Sequence, residues 1–227
     1  DGMDTLSAMI GGKDGYKLDL KLKSTKPAAI HYGGKLHKYP RSVGGGYTYY
    51  YSRTSMTVEA NLTLPNESTP TSVTGQAWFD RQYGNLIRPA VIGGWQWFAI
   101  SLEDGSEIML YFQSSKGFFD KEEEREERES ELGSITDKNG VTTPILSSEA
   151  SLEVIGNWTS KNSGCVYPSG WHVTVKSQTW ILKPYVEDQE LGPREGEQQP
   201  WVTPIYWEGA NSATGLDGAP MGRAYVE

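Results

Sequence analysis

The feature that most constrains the fold is a long run of alternating side chains between residues 47 and 64. Every second residue belongs to a mostly apolar set, and the residues between them are mainly polar or charged. Successive side chains of a β-strand point to opposite faces of its sheet, so the run predicts one long strand with a buried face. The predicted buried set is Tyr50, Ser52, Thr54, Met56, Val58, Ala60, Leu62 and Leu64.

The same alternation recurs along the chain, whereas sustained helical periodicity is absent from the sequence. Residues 15–23 alternate between apolar and charged side chains, which predicts a half-buried strand. Residues 95–113 predict a hairpin that turns at Asp104-Gly105, a dipeptide favoured in tight turns. Further strands are predicted at 151–156, 171–176, 179–186, 204–210 and 222–227. The pattern indicates an all-β fold that is closed or sandwiched.

Two irregular segments suggest how the chain is organised. A Pro- and Gly-rich stretch ends at Gly44–Gly46, which we interpret as a domain boundary. We therefore predict that residues 1–43 are the end of an N-terminal β domain with its linker, and that 47–227 form a C-terminal barrel. The charged run at 121–131 carries both signs and is interpreted as a solvated excursion.

Composition excludes several classes of function. The net charge of −8 argues against a nucleic-acid binder, which needs a basic surface to displace counterions. No apolar run approaches the ~20 residues that span a bilayer, so no integral membrane segment is predicted. One cysteine and three unclustered histidines predict neither an intrachain disulfide nor a metal site.

The compartment is indicated only by glycosylation sequons. Three occur, at Asn61, Asn66 and Asn157, and they favour a secreted glycoprotein, with the cytoplasm as the alternative.

The candidate site is the segment AWFDRQYG at residues 77–84. It combines a carboxylate, a guanidinium and an amide with aromatic side chains on both sides. A regular strand would place Asp80 on one face and Arg81 on the other. The candidate catalytic residues are Asp80, Arg81, Gln82 and Glu208. The candidate substrate-binding residues are Tyr50, Tyr51, Trp78, Tyr83, Trp95, Trp97 and Trp207. Tryptophan and tyrosine offer rigid apolar walls whose ring faces also stabilise positive charge.

Structural interpretations of these residues stay open. Asp80 could instead pair with Arg81 or Arg53 to fix a strand end, and structural ion pairs also perturb pKa values. Arg81 and Gln82 could simply satisfy backbone groups, and the tryptophans could belong to the core.

Several segments, in this order, resemble a single family. They are YYYSRTSM (49–56), VTGQAWFDRQYG (73–84), GWQWFAISLEDGSEIMLY (94–111), YPSGWHV (167–173), DQEL (188–191), YWEGA (206–210) and GRAYVE (222–227). Together they are similar to the lipocalin-like proteins that include carotenoid 1,2-hydratase (hydroxyneurosporene synthase) and fungal Diels–Alderases. Members of that family are usually longer than this chain and usually have Trp at the position of Tyr83. The charged run at 121–131 resembles an insertion.

The resemblance implies an antiparallel calycin- or lipocalin-like β-barrel with the remnant of a preceding β domain, most of which is expected to be absent from this chain. A barrel of about eight strands can enclose one small ligand. The resemblance also implies a cofactor-free protein that holds a hydrophobic, unsaturated small molecule, with the missing β domain as a further partner.

Three functions follow as hypotheses. The first is a cyclase of natural-product biosynthesis that performs a Diels–Alder or hetero-Diels–Alder step by holding a polyene or isoprenoid-type substrate in a reactive geometry. Arg81, Gln82 or a tyrosine hydroxyl would polarise a carbonyl. The second is an alkene hydratase in which Asp80 is the general acid. The third is a non-catalytic lipid or terpenoid carrier.

Overall fold

A computed structural model describes residues 2–12, 14–35, 37–38, 46–85, 95–113, 131–192 and 205–227. These residues form antiparallel β-strands, and they contain no α-helix. Short 3-10 turns occur at His31–Gly34 and Ser147–Glu149. The predicted all-β class is therefore confirmed.

The first sheet has six strands organised around one long central strand. Its strands are β1 (Met3–Ile10), β2 (Tyr16–Ser24), β3 (Ala29–Ile30), β4 (His37–Lys38), β5 (Tyr47–Thr63) and β6 (Thr71–Asn85). The central strand β5 pairs with β2, β3, β4 and β6. The strands on both sides of the predicted boundary thus belong to one sheet. Of that boundary only Gly46 lies within the described residues, and the division into domains stays a prediction.

A register shift in β5 divides its buried side chains between the two faces of the sheet. Arg53 is opposite Phe79, but Met56 is opposite Ala77, so β5 contains one more residue than β6 over this interval. Ser52 contacts Asp80 on one face, whereas Met56 packs with Phe79 on the other. The even-numbered residues are buried from 52 to 60, as the alternation predicts. They do not all point to the same face of the sheet. The extra residue in β5 shifts the alternation by one position, so the even-numbered side chains after it point to the opposite face.

The second sheet has nine strands and nearly closes on itself. The strands are β7 (Trp95–Leu102), β8 (Glu107–Gln113), β9 (Gly133–Thr136), β10 (Thr142–Ile145), β11 (Ala150–Val154), β14 (Trp171–Val175), β15 (Gln178–Pro184), β18 (Gly209–Thr214) and β19 (Pro220–Val226). Their order in the sheet is β10-β9-β8-β7-β19-β18-β15-β14-β11. Its two edge strands, β10 and β11, are consecutive in the chain and are joined by the turn at Ser147–Glu149. This sheet is the predicted antiparallel barrel.

Two short ribbons complete the described strands. They are β12 (Asn157–Thr159) with β13 (Val166–Pro168), and β16 (Glu190–Leu191) with β17 (Tyr206–Trp207). The Glu190 carboxylate accepts hydrogen bonds from Ser160, Ser163 and Tyr167, and this contact fastens the second ribbon to the first.

The interior of the barrel is filled by side chains. Its core consists of buried residues from all parts of the second sheet, among them Phe98, Ile100, Leu110, Trp171, Val173, Trp180 and Leu182. Trp171 packs edge-on against Phe98, with ring centroids 5.9 Å apart. Large side chains of the described residues therefore fill the interior of the barrel, and the position of the ligand stays a prediction.

Candidate functional site

A cavity lies between the two sheets, on the outer surface of the barrel. Its volume is about 1280 Å³, and it is lined by β5 and β6 of the first sheet and by β7, β18 and β19 of the second. Odd-numbered residues of β7, such as Trp97 and Ala99, face the cavity, while Phe98 and Ile100 between them belong to the barrel core. The alternation that builds the barrel therefore also supplies one wall of the cavity.

Seven of the eleven predicted site residues line this cavity. They are Asp80, Gln82, Glu208, Tyr50, Trp78, Trp95 and Trp97. The last two lie on the outer surface of the barrel, and the Trp97 indole Nε1 donates to the Tyr50 hydroxyl at 3.0 Å across the gap between the sheets. The fold therefore brings together side chains from distant segments of the sequence.

The other four predicted residues lie elsewhere. Arg81, Tyr51 and Tyr83 are absent from the cavity lining, since they occupy the odd positions of β5 and β6 next to the bulge, opposite to Asp80 and Gln82. Tyr83 stacks on Tyr49 on that outer face, with centroids 5.4 Å apart. Trp207 is buried in the barrel core, where its indole donates to the Glu187 carbonyl at 2.7 Å.

Asp80 is surrounded by hydrogen-bond donors on the protein side and is open to the cavity on the other. Its Oδ1 accepts from the Ser52 hydroxyl and, at 2.8 Å, from the Trp78 indole, and Tyr50 also donates to the carboxylate. Desolvation raises the pKa of Asp80, and these donors oppose the rise because they stabilise the ionised form. Arg53 pairs with Asp4 instead, so the ion pair considered between Arg53 and Asp80 does not form.

A buried histidine extends this network away from the cavity. His31 is 1% exposed, its Nε2 lies 2.6 Å from Ser52 Oγ, and its Nδ1 lies 2.8 Å from Ser134 Oγ on β9. Burial lowers the pKa of His31 to about 4, so the ring is neutral at neutral pH. The Ser52 hydroxyl proton points to Asp80, so Nε2 must carry the ring proton and Nδ1 must accept from Ser134.

Two more carboxyl groups, those of Glu208 and Glu227, line the cavity from the barrel side. Desolvation and then repulsion by Glu208 raise the pKa of Glu227, with a further contribution from Asp80, while a hydrogen bond from Trp95 opposes the rise. Desolvation also raises the pKa of Glu208, which is hydrogen-bonded to Tyr225. The pKa of Tyr225 itself is raised to about 12, chiefly by desolvation. Three carboxyl groups with raised pKa values thus share one end of the cavity.

Indole rings enclose the same end. Trp78 and Trp97 meet edge to face, with centroids 6.3 Å apart, and join the first sheet to the second. Burial raises the pKa of Tyr50, so its hydroxyl stays protonated and available as a donor. This end of the cavity therefore combines acids with aromatic surfaces that attract a positive charge.

The opposite end is held together by a buried ion pair. Lys26 Nζ lies 2.8 Å from Glu107 Oε2, and their side chains are only 11% and 6% exposed. The same ammonium donates to the carbonyl of Asp137 at 3.1 Å, and Thr54 donates to Glu107 at 3.2 Å. This contact ties the loop after β2 to the β7–β8 turn.

Several lining or supporting residues were not predicted from the sequence. His31 lies in a segment interpreted as linker, and Ser52 was predicted only as a buried residue of the long strand. Arg223, Tyr225 and Glu227 alternate in the last strand, and that alternation was the one available signal for a shared face.

Within the described ranges, no three histidine, cysteine, aspartate or glutamate side chains are grouped in a way that could hold a metal ion. The same part of the chain contains no helix long and apolar enough to cross a membrane. Residues 121–130 of the charged run lie outside the described residues. Asn61, Asn66 and Asn157 are exposed, and their glycosylation stays a prediction.

Comparison with known families places these observations in context. The AttH-like family model matches residues 3–227. The chain belongs to the AttH-like family. Members of this group are lipocalin-like, which confirms the resemblance drawn from the seven sequence segments.

Two solved structures share the AttH-like fold of this chain. An AttH protein from Nitrosomonas europaea is 27% identical, with a TM-score of 0.77, and the match covers 100% of this chain and 64% of that one. Kievitone hydratase from Nectria haematococca is 21% identical, with a TM-score of 0.66, and the match covers 100% of this chain and 67% of that one. The chain thus spans less than two thirds of the first of these proteins. No curated protein sequence matches it.

Proposed function

We propose that the cavity between the sheets is the active site of a hydratase, which adds water across a carbon–carbon double bond of a hydrophobic substrate. The observation that carries the proposal is the convergence of three carboxyl groups with raised pKa values on a cavity walled by tryptophan: Asp80, Glu208 and Glu227. Hydration of an alkene needs an acid that is protonated near neutral pH and a base that accepts a proton from water.

Glu227 is the best-suited acid. Its pKa is raised by burial and by two neighbouring carboxylates, so the protonated form is favoured. Transfer of its proton to one alkene carbon leaves a carbocation on the other. The indole faces of Trp78 and Trp97 would then stabilise that positive charge.

Asp80 is the best-suited base. Three donors favour its ionised form, and its open side faces the cavity. Water adds its oxygen to the cation and releases a proton to Asp80, so one proton enters from Glu227 and one leaves to Asp80. Solvent in the open cavity restores both groups. This assignment differs from the sequence-based hypothesis, in which Asp80 was the acid.

The kievitone hydratase neighbour has the same fold, and its name is consistent with this chemistry. The cyclase hypothesis has less support. A Diels–Alder step needs no proton, and Arg81, one of its expected carbonyl donors, is absent from the cavity lining. Gln82 remains available as a donor in either mechanism.

Incubation with kievitone and with a panel of terminal-alkene isoprenoids in D₂O tests the proposal. A hydratase gives a product heavier by one water molecule, with one deuterium bound to carbon. Glu227→Gln and Asp80→Asn are each expected to slow turnover by about 10²–10⁴-fold. Glu153→Gln is the matched control, because its side chain on β11 is 72% exposed and does not line the cavity.

Other outcomes would contradict the proposal. A cyclised isomer without deuterium would identify a cyclase, and binding with release of unchanged ligand would identify a carrier. Turnover that survives both carboxylate substitutions would exclude the assigned acid and base.

A further inference from the structure

The floor of the cavity is built in three tiers by neighbouring strands of the barrel. Glu227 exchanges backbone hydrogen bonds with Trp97, Tyr225 is opposite Ala99, and Arg223 is opposite Ser101. On the other side of β19, Ala210 is opposite Tyr225. The tiers are therefore an acid tier (Trp97, Glu227, Glu208), a middle tier (Ala99, Tyr225, Ala210) and a cationic tier (Ser101, Arg223), all of which line the cavity.

Arg223 is the cation of the cationic tier. Among the described residues no ion pair includes it, although Glu103 also borders this end of the cavity. The described part of the lining contains one more cation, Lys26, which is already paired with Glu107. A guanidinium in this position presents a fork of N–H donors that matches a carboxylate.

The distance between the two charged tiers follows from strand geometry. Arg223 and Glu227 are four residues apart on one strand, which rises ~3.3 Å per residue, so their Cα atoms are separated by about 13 Å. Besides Tyr225, the middle tier between them contains two alanines, whose small side chains border the cavity.

We propose that Arg223 binds a carboxylate at one end of the substrate and thereby holds a double bond about 13 Å away, at the acid tier. This inference rests on the proposed function for the position of the double bond. The substrate class is then an unsaturated hydrophobic acid. Asp80, the proposed ionised base at the same end of the cavity as the acid tier, repels the same carboxylate, so the cavity fixes the orientation of the ligand as well as its length.

Equilibrium binding tests the proposal independently of turnover. The probe is 10-undecenoic acid, compared with its methyl ester and with 4-pentenoic acid by calorimetry. The wild-type protein is expected to bind the long acid at least about tenfold more tightly than the ester, because only the acid offers a charged acceptor. The short acid cannot reach both tiers and is expected to bind more weakly.

Two substitutions separate Arg223 from general effects of charge. Arg223→Gln should remove the preference for acid over ester, whereas Arg81→Gln should keep it, because Arg81 lies outside the cavity lining. Glu227→Gln should also keep the preference, which distinguishes failure of this inference from failure of the proposed hydratase. Equal binding of acid and ester by the wild type, no binding of the long acid, or a preference that survives Arg223→Gln would overturn the proposal.

Discussion

Replacement of Ser52 by alanine is expected to change the acidity of Asp80 and the stability of the fold together. Ser52 is fully buried, donates to Asp80 and contacts the Nε2 of His31. Loss of a donor to the ionised carboxylate should raise the pKa of Asp80 further. The same change leaves one ring nitrogen of His31 without a partner, whichever tautomer the ring adopts.

The stability cost follows from that second effect. A buried polar group without a partner costs about 1–3 kcal/mol. In a chain of this length, each kcal/mol corresponds to ~2–4 °C in Tm. Thermal unfolding should therefore report a measurable loss for Ser52→Ala.

Ser134→Ala is the matched control, because Ser134 bonds to the other nitrogen of His31 and does not contact Asp80 in the described structure. Both variants should lose a similar amount of stability. Only Ser52→Ala should move the carboxyl ¹³C NMR titration of Asp80, whose signal is assigned with Asp80→Asn. If Ser134→Ala moves that titration equally, or if Ser52→Ala leaves it unchanged, the proposed coupling is wrong.

Three further predictions concern the acid tier, the tryptophans and the buried ion pair. Because the pKa of Glu227 is raised, its contribution to stability is fully present below the ordinary glutamate pKa and is lost as pH rises through the raised value. The Tm of Glu227→Gln relative to that of the wild type should therefore increase as pH rises above the ordinary glutamate pKa, and a difference that does not change with pH would contradict this. Trp207→Ala should lower the free energy of unfolding in denaturant by about 3–5 kcal/mol, because Trp207 is in the barrel core. Trp97→Ala should lower it less and should weaken ligand binding instead, because Trp97 lines the cavity. Lys26→Met should lower the free energy of unfolding by about 3–5 kcal/mol, because it leaves the Glu107 carboxylate buried without its ion-pair partner. The double variant Lys26→Met/Glu107→Leu should recover much of that loss in the same unfolding experiment. If the losses of the two single variants simply add in the double variant, the two side chains do not stabilise each other.

Local patterns in the sequence identified many of the strands, although not β1, β9 or β10. The hairpin at 95–113 forms as predicted, with Leu102 and Ser106 closing the turn at Asp104-Gly105. The even positions of β5 are buried as the alternation indicated. Both results depend on the two-residue period of an extended chain, which any strand obeys whatever its partners are.

The composition of the site was only partly accessible from the sequence. Asp80, Gln82 and three tryptophans were identified because acids among aromatics are unusual on a half-buried strand. Glu227 and Arg223 were not, since their role depends on β19 lying beside β7, a pairing between distant segments. His31 reaches Ser52 only because a segment rich in Pro and Gly folds back between the sheets.

The tertiary structure alone decided where the cavity lies. Alternation fixed which side chains share a face, but not which face meets the barrel core and which meets the other sheet. One extra residue in β5 divides its buried positions between two environments, and large aromatic side chains fill the barrel itself. Register and packing are set by contacts between residues far apart in the chain, so the sequence alone could not place the cavity between the sheets.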